Sequence, residues 1–400
     1  MTIEASSGST PASGGTPRRI RLGMVGGGQG AFIGGVHRMA ARLDDCYELV
    51  AGALSSQPER AAASAAETHI APERSYADFR AMAKAEAARK DGIDVVAIVT
   101  PNHLHGPIAT AFLDAGIDVI CDKPATTTLA EALALVEKVH STGRLFALTH
   151  NYSGYPMVRQ AREMVAAGEL GEIRLVHTEY AQDWLTTDLA ATGQKQAVWR
   201  SDPAQSGAGG ALGDIGTHAE QLGRFISGLE LSAVSADIQS FVAGRKLDDN
   251  AHVMLRYANG ARGLLWASQV APGNENALRV RVYGTKAGID FRQEHPNQLW
   301  FTPLGQAPKL ITRGGNGVGG SAAAGHATRI PAGHPEGYLE GFAQLYRDVA
   351  EQIHARWEKR APNPLACNVP TVLDGALGMK FIEAVIESSR TDGRWVSARL

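Results

Sequence analysis

Cysteine is scarce in this chain: Cys46, Cys121 and Cys367 are dispersed over 400 residues. An odd, scattered set provides neither a disulfide framework nor the paired spacing of a zinc site, and it fits a reducing cytoplasm. An excess of one charge is also missing. Lys and Arg total 39 against 41 Asp and Glu, a formal net charge of -2. With no basic field to hold a polyanion, nucleic acid is not expected as a partner. No apolar run approaches the ~20 residues of a membrane-spanning helix, so no membrane partner is expected either. Residues 1–17 are mostly Ser, Gly, Thr, Ala and Pro and lack the apolar core of an export signal. They read as a flexible tail on a cytoplasmic protein.

What is present is a chain able to bury a core, with 44% apolar and 20% charged residues. Its length allows two or three domains. From Ile20 to Thr149, short Val- and Ile-rich runs alternate with helical stretches of about ten residues. That rhythm implies βαβ units and a parallel sheet covered on both faces, giving a dinucleotide-binding unit over 18–149. Beyond residue 150 the pattern changes. Strand-like runs at Ile173–Tyr180, Ala233–Val242, Ala251–Tyr257, Ala261–Ser268 and Leu278–Tyr283 include an Asn259-Gly260 hairpin signal. The segment 150–400 therefore reads as an α+β unit with an open, mainly antiparallel sheet. Helices are expected at Tyr338–Trp357 and Val369–Ser389, and these C-terminal helices can pack back on the first unit. The glycine-dense stretch Gly314–Gly325 reads as a mobile surface loop, a candidate lid together with His334-Pro335-Glu336.

Between the first strand and the first helix lies Gly26-Gly27-Gly28-Gln29-Gly30-Ala31. With Gly26, Gly28 and Ala31 it fits G-x-G-x-x-G/A, whose small residues let backbone N–H groups approach a pyrophosphate at a helix N-terminus. The loop runs on to Gly34-Gly35, about three residues past the compact pattern, so Gly34 is an alternative to Ala31 for the third position. A carboxylate at the end of the second strand would bind the adenosine ribose of NAD. None stands there. Ser55, Ser56 and Arg60 could instead meet a 2′-phosphate, which favours NADP or use of both cofactors, although the same residues could simply cap and solvate a helix.

Two further segments end strands of the parallel sheet: Thr100-Pro101-Asn102-His103-Leu104-His105 and Cys121-Asp122-Lys123-Pro124. Both face the crevice beyond the strand ends, where ligands of such sheets bind. Lys123, if partly desolvated beside a cofactor, suits proton or hydroxyl chemistry; in isolation it could be a surface lysine in a proline turn. In the second half, Gly209-Gly210-Ala211-Leu212-Gly213-Asp214-Ile215-Gly216-Thr217-His218 puts Asp214 and His218 four residues apart, on one face of a helical start. Histidine exchanges protons near neutrality and a carboxylate can tune it. The alternative is an Asp cap followed by a packed His. No Cys or further His at ligand spacing suggests a metal.

Together these four ordered features resemble the Gfo/Idh/MocA oxidoreductases, the glucose–fructose oxidoreductase and inositol dehydrogenase family, from about Arg19 to the C-terminus. The resemblance implies a Rossmann domain, a second domain on an open sheet, and an active site between them. It places the catalytic roles on Lys123, Asp214 and His218. Cofactor contacts fall on Gly26, Gly28, Gln29, Ala31, Ser55, Ser56, Arg60, Thr100, Pro101, Asn102, His105, Asp122 and Lys123. Substrate contacts fall on Lys123, Asp214 and His218 and on the segments Trp199-Arg200 and His150-Asn151-Tyr152. The family usually has Glu where this chain has Asp122. The implied activity is hydride transfer between NAD or NADP and a secondary hydroxyl of a cyclic polyol or sugar. A redox-assisted glycoside-cleaving enzyme and a non-catalytic dinucleotide sensor are the alternatives. The second sheet's outer face implies a homodimer or homotetramer.

Overall fold

The computed structural model describes residues 18–189, 203–315 and 320–400. Five parallel strands form the first sheet: β1 (Ile20–Gly26), β2 (Tyr47–Ala53), β3 (Val95–Val99), β4 (Asp118–Cys121) and β5 (Phe146–Leu148). Their spatial order is β2-β1-β3-β4-β5. Five helices cover it: α1 (Phe32–Leu43), α2 (Pro58–Glu67), α3 (Phe79–Ala88), α4 (His105–Asp114) and α5 (Leu129–Thr142). The strand order reverses between β1 and β3, which opens a crevice at their carboxyl ends. The glycine loop and Thr100-Pro101-Asn102 both emerge there.

α5 shows why the sequence folds as it does locally. The Thr128 side chain accepts from the Glu131 N–H at its start, and Gly143 ends it in the left-handed region at φ 62°. α3 begins at Phe79 because the Asp78 side chain caps it by accepting from the Ala81 N–H.

Among the described residues the second sheet has nine strands: β6 (Ile173–Ala181), β7 (Leu231–Gln239), β8 (Asn250–Tyr257), β9 (Arg262–Ser268), β10 (Ala277–Gly284), β11 (Ala287–Arg292), β12 (Gln298–Pro303), β13 (Lys309–Thr312) and β14 (Val396–Ser397). They run in the order β13-β12-β11-β10-β6-β9-β8-β7-β14. The central pair β6 and β9 is parallel and the other neighbours are antiparallel. β11 to β13 were not anticipated, although Ala287, Ile289 and Phe291 are buried in strict alternation with more exposed neighbours. Helices α6 (Pro156–Ala166), Thr217–Ser227 and Val372–Arg390 pack on one face around a core that includes Val176, Val253, Leu265 and Phe381. The other face leaves Met254, Leu264, Trp300 and Leu310 partly exposed.

The helix Tyr338–Trp357 sits on the first sheet. Its Phe342, Tyr346, Val349 and Ile353 share one core with Ile20, Met24, Val95 and Ala97. Arg329, just before it, pairs with Asp44 at the end of α1. The Gly314–Gly325 expectation needs correction: Ala322–Ala327 is a helix, capped by Ser321 and tied to α6 where Glu163 accepts the Ala323 N–H. Glu336 is buried against Arg313 at 3.0 Å, so it anchors its loop. Among the described residues, nothing from 314–336 lines the cavity described next.

Candidate active site

The glycine loop is shaped by close approach. Gly26, Gly27 and Gly30 have φ of 80°, 71° and 74°, a region that disfavours side chains. A Cβ on Gly28 would lie 2.6 Å from the Leu54 carbonyl oxygen, and one on Gly34 would lie 2.6 Å from the Gly27 carbonyl oxygen. Gly34 therefore takes the third small position, where helix meets loop. Ala31 is instead the extended residue preceding α1, at φ -95° and ψ 114°. The Gln29 N–H donates to Ser64 Oγ (3.1 Å), and its side chain meets Glu67. At the end of β2, Ser55 Oγ accepts from the Gln57 N–H (3.1 Å), Ser56 is exposed, and Arg60 donates to the Gln29 carbonyl (2.6 Å). Arg60 thus ties α2 to the glycine loop.

Beside the start of α1, where Phe32 and Ile33 reach it, is a cavity of about 530 Å³ between the two sheets. Thr100, Asn102, Asp122, Lys123, Asp214 and His218 all line it. Lys123 donates to the Asp214 carbonyl (2.6 Å) and to Asp214 Oδ1 (2.8 Å). The first sheet's lysine and the second half's aspartate are therefore one ion pair across the cleft. Asp122 accepts from Thr149 Oγ1 (2.9 Å) and lies 3.8 Å from His37 Nε2. Burial works to raise the Asp122 carboxyl, but His37, His105 and Lys123 outweigh it and hold it below the ordinary value. His105 is fully buried, with Nδ1 2.6 Å from the Pro124 carbonyl and Nε2 2.9 Å from the Thr100 carbonyl. Burial holds the ring below its ordinary value, so the neutral imidazole donates its single N–H to one of these carbonyls; it is not part of the cavity wall. Pro101 precedes a short turn in which Asn102 donates to the Ser206 carbonyl (3.1 Å).

Asp214 sits in a π-turn, Leu212–Gly216, that runs into the helix Thr217–Ser227 carrying His218. The turn is anchored by Asp248, whose carboxylate accepts the Gly210 and Leu212 N–H groups, both at 2.7 Å. Asp214 does not cap the helix; its Oδ2 accepts from Gln269 Nε2 (2.9 Å) while Oδ1 holds Lys123. His218 is buried, with Nδ1 3.3 Å from His150 Nδ1. Burial, followed by Lys123 and His150, pushes His218 well below its ordinary value, against the opposing pull of Asp214.

The far wall is a chain of amides and phenols. The Tyr152 and Tyr180 hydroxyls meet at 2.6 Å, and Tyr180 donates to Asn276 Oδ1 (2.8 Å). Gln182 Nε2 donates to the same oxygen (2.7 Å), while Gln182 Oε1 accepts from Trp184 Nε1 (3.0 Å) and Gln269 Nε2 (3.3 Å). Of these residues Tyr152 stands in a segment expected from the sequence, whereas Tyr180, Gln182, Asp248, Gln269 and Asn276 carry no signal there. Gln182 and Gln269 directly follow the parallel strands β6 and β9, and only the pairing brings them together. Trp199 and Arg200 lie outside the described residues.

A nicotinamide dinucleotide fits the first half of this crevice. The glycine loop is packed so tightly that a Cβ on Gly28 or Gly34 would strike the chain's own backbone, which keeps the loop close to the strand end, and Thr100 Oγ1 is buried with no partner among the described residues. No group of three or more metal-binding side chains is found among the described residues, and no described helix is long and apolar enough to cross a membrane.

Comparison with known proteins agrees with this geometry. Residues 20–150 match the oxidoreductase family model with an NAD-binding Rossmann fold, and 158–290 match the GFO/IDH/MocA C-terminal domain. Levoglucosan dehydrogenase of Pseudarthrobacter phenanthrenivorans is 30% identical over 312 residues, covering 70% of this chain and 76% of that protein. The crystal structure of an oxidoreductase from Sinorhizobium meliloti superposes with a TM-score of 0.85 at 53% identity, covering 95% of this chain and all (100%) of that one. An inositol dehydrogenase homologue from Azotobacter vinelandii, complexed with NADH and myo-inositol, gives 0.87 at 36% identity, covering 95% and 98%. The chain belongs to the Gfo/Idh/MocA family of oxidoreductases, and its first sheet is that family's NAD-binding Rossmann fold.

Proposed function

We propose that the protein is an NAD(P)-dependent dehydrogenase acting on a secondary hydroxyl of a neutral cyclic polyol or sugar. The observation that carries this reading is the Lys123–Asp214 pair, 2.8 Å, in the same cavity as His218 and the strand-end crevice. When bound, the nicotinamide supplies the hydride acceptor. The chain handles the oxygen and its proton. Lys123 donates a hydrogen bond to the substrate oxygen and steadies the negative charge that develops on it. His218 takes the hydroxyl proton as general base, and Asp214 holds the Lys123 ammonium in place. Proton transfer of this kind contributes about 10²–10⁴-fold.

Neutral substrates are favoured by the charges on the wall. Lys123 is paired with Asp214, Arg245 with Asp249, and Asp248 with two backbone N–H groups. Gln182, Gln269 and Asn276 offer both donors and acceptors, which suits hydroxyls that also do both. Levoglucosan dehydrogenase and the inositol dehydrogenase homologue support a polyhydroxylated ring. The absence of a carboxylate at Ser55 supports use of NADP as well as NAD, with Ser55, Ser56 and Arg60 at the ribose. A homodimer or homotetramer through the outer face of the second sheet and a cytoplasmic location complete the proposal.

The test is nicotinamide reduction with NAD and with NADP across inositols, aldoses and anhydrosugars, using wild type, Lys123→Ala and Ser55→Asp. Turnover should fall at least about 10²-fold in Lys123→Ala with NADH binding retained. Ser55→Asp should move the preference toward NAD. Near-wild-type turnover in folded Lys123→Ala would overturn the assignment.

A further inference from the structure

Beside the proposed base lies a second histidine that the reaction above leaves without a task. His150 follows β5 and opens the turn Asn151–Gly154. Its ring is buried and stands perpendicular to that of His218, with centroids 5.1 Å apart and the Nδ1 atoms 3.3 Å apart. The backbone of His150 is held firmly. Its N–H donates to the Leu148 carbonyl (2.9 Å), and its own carbonyl accepts from the Ser153 N–H (3.1 Å) and Ser153 Oγ (2.8 Å). His150 itself is not part of the cavity wall, whereas His218 is. The Nδ1 edge of His218 is therefore engaged away from the cavity, and the Nε2 edge is left to face it.

Two imidazole nitrogens at this separation form a hydrogen bond only if they share one proton between them. If that proton resides on His150, neutral His218 carries its own proton on Nε2 and has nothing to accept with at the cavity. If it resides on His218 Nδ1, the lone pair is on Nε2 and faces the substrate. We infer that His150 is a positioning residue for the reaction: its Nδ1 accepts the His218 Nδ1–H and so fixes His218 in the tautomer able to take a proton from the substrate hydroxyl. The inference rests on His218 being the base, as proposed above.

His150 can do this because it stays uncharged. The groups that face it are His218 and Arg224 on the helix Thr217–Ser227, Asp122 and Lys123 on the turn after β4, and Asp374 at the start of Val372–Arg390. Burial holds it down to about 3, helped by Lys123 and Arg224 against Asp374 and Asp122. In hydrolase triads an aspartate orients the histidine and also stabilises its charged form. A neutral imidazole orients without that charge. The proposed base thus keeps its lone pair in mildly acidic solution.

The test uses the full chain labelled with ¹⁵N-histidine, with His218→Asn to identify the His218 signals. In wild type at neutral pH, imidazole ¹⁵N shifts should report His218 as the Nδ1–H tautomer. In His150→Phe they should report a mixture including Nε2–H. The kcat for the best polyol should fall at least about tenfold with KM changed less than about threefold. His150→Asn, whose side-chain oxygen can accept the same hydrogen bond, should recover most of the lost turnover and keeps the test open if the Phe variant fails to fold. An Nε2–H His218 in wild type would overturn the inference, as would wild-type kcat and an unmoved pH profile in folded His150→Phe. The tautomer is read without turnover. A wild-type protein inactive on every polyol yet showing Nδ1–H His218 would overturn the dehydrogenase reading and leave the tautomer assignment supported.

Discussion

Replacing Gly34 with alanine puts a methyl group 2.6 Å from the Gly27 carbonyl oxygen and against Gly27 Cα, whereas ordinary contact begins at 3.4 Å. The obstacle is backbone, which cannot rotate out of the way as a side chain can. The start of α1 must therefore back off the loop by roughly 0.8–1.0 Å, an overpacking that costs about 1–3 kcal/mol. Part is offset by the ~1 kcal/mol that alanine gains over glycine within a helix. The larger effect is expected on the cofactor, since under the proposed function the displaced turn carries the N–H groups that would face the pyrophosphate. Losing one charge-assisted hydrogen bond of about 1.5–3 kcal/mol weakens binding by roughly 10–100-fold. Gly35 is the control. A methyl there meets no atom within 4 Å, so Gly35→Ala should raise stability by about 0.5–1 kcal/mol and leave NADH affinity unchanged. Fluorescence titration with NADH and thermal unfolding of both variants provide the assay. Wild-type affinity in Gly34→Ala, or equal losses in both variants, would refute the packing argument.

Other consequences follow from buried charge. His150 and His218 are held below the ordinary 6.5, so the unfolded chain takes up protons that the fold refuses. Stability present above pH 6.5 is therefore lost as pH falls, by up to about 1.4 kcal/mol per unit for each histidine, and urea midpoints should drop between pH 7 and pH 5. Equal midpoints would contradict the assignment of both rings as neutral. Asp348 joins Arg159 (2.6 Å), His326 (2.7 Å) and Gln344 (2.8 Å) in the interior. Asp348→Ala strands the Arg159 guanidinium and should cost about 3–5 kcal/mol by denaturant unfolding; a loss under about 1 kcal/mol would show that the pair is dispensable.

The first sheet was legible because its signals are local. Each strand is a short apolar run, and Gly143 and Thr128 mark a helix end and start by their own chemistry. The motif residues Lys123, Asp214 and His218 were also legible, although the resemblance and not their spacing assigned them roles. The rest depended on pairing. Nothing near Gln182 or Gln269 announces a site; they meet because β6 and β9 lie side by side in parallel, a register no local pattern encodes. Asn276 and Asp248 enter through the same assembly. His105 was named from its place in the Thr100–His105 motif, and only the fold shows its buried ring lying between the Pro124 and Thr100 carbonyls. The choice between Ala31 and Gly34 turned on the Gly27 backbone standing 2.4–2.6 Å from where a Cβ on Gly34 would lie, visible only once α1 is docked.

The helix Tyr338–Trp357 has a consequence for how the protein is made. It supplies Phe342, Tyr346 and Val349 to the core of a sheet whose strands all lie before residue 150, and its Tyr338 and Phe342 also wall the cavity. During synthesis the ribosome releases those strands long before their cover. Until the helix emerges, the core of Ile20, Met24, Val95 and Ala97 has only α1 residues such as Val36 and Ala40 on that side, and the cleft lacks part of its wall. Covering of the first sheet and walling of the cavity thus wait on the same twenty residues.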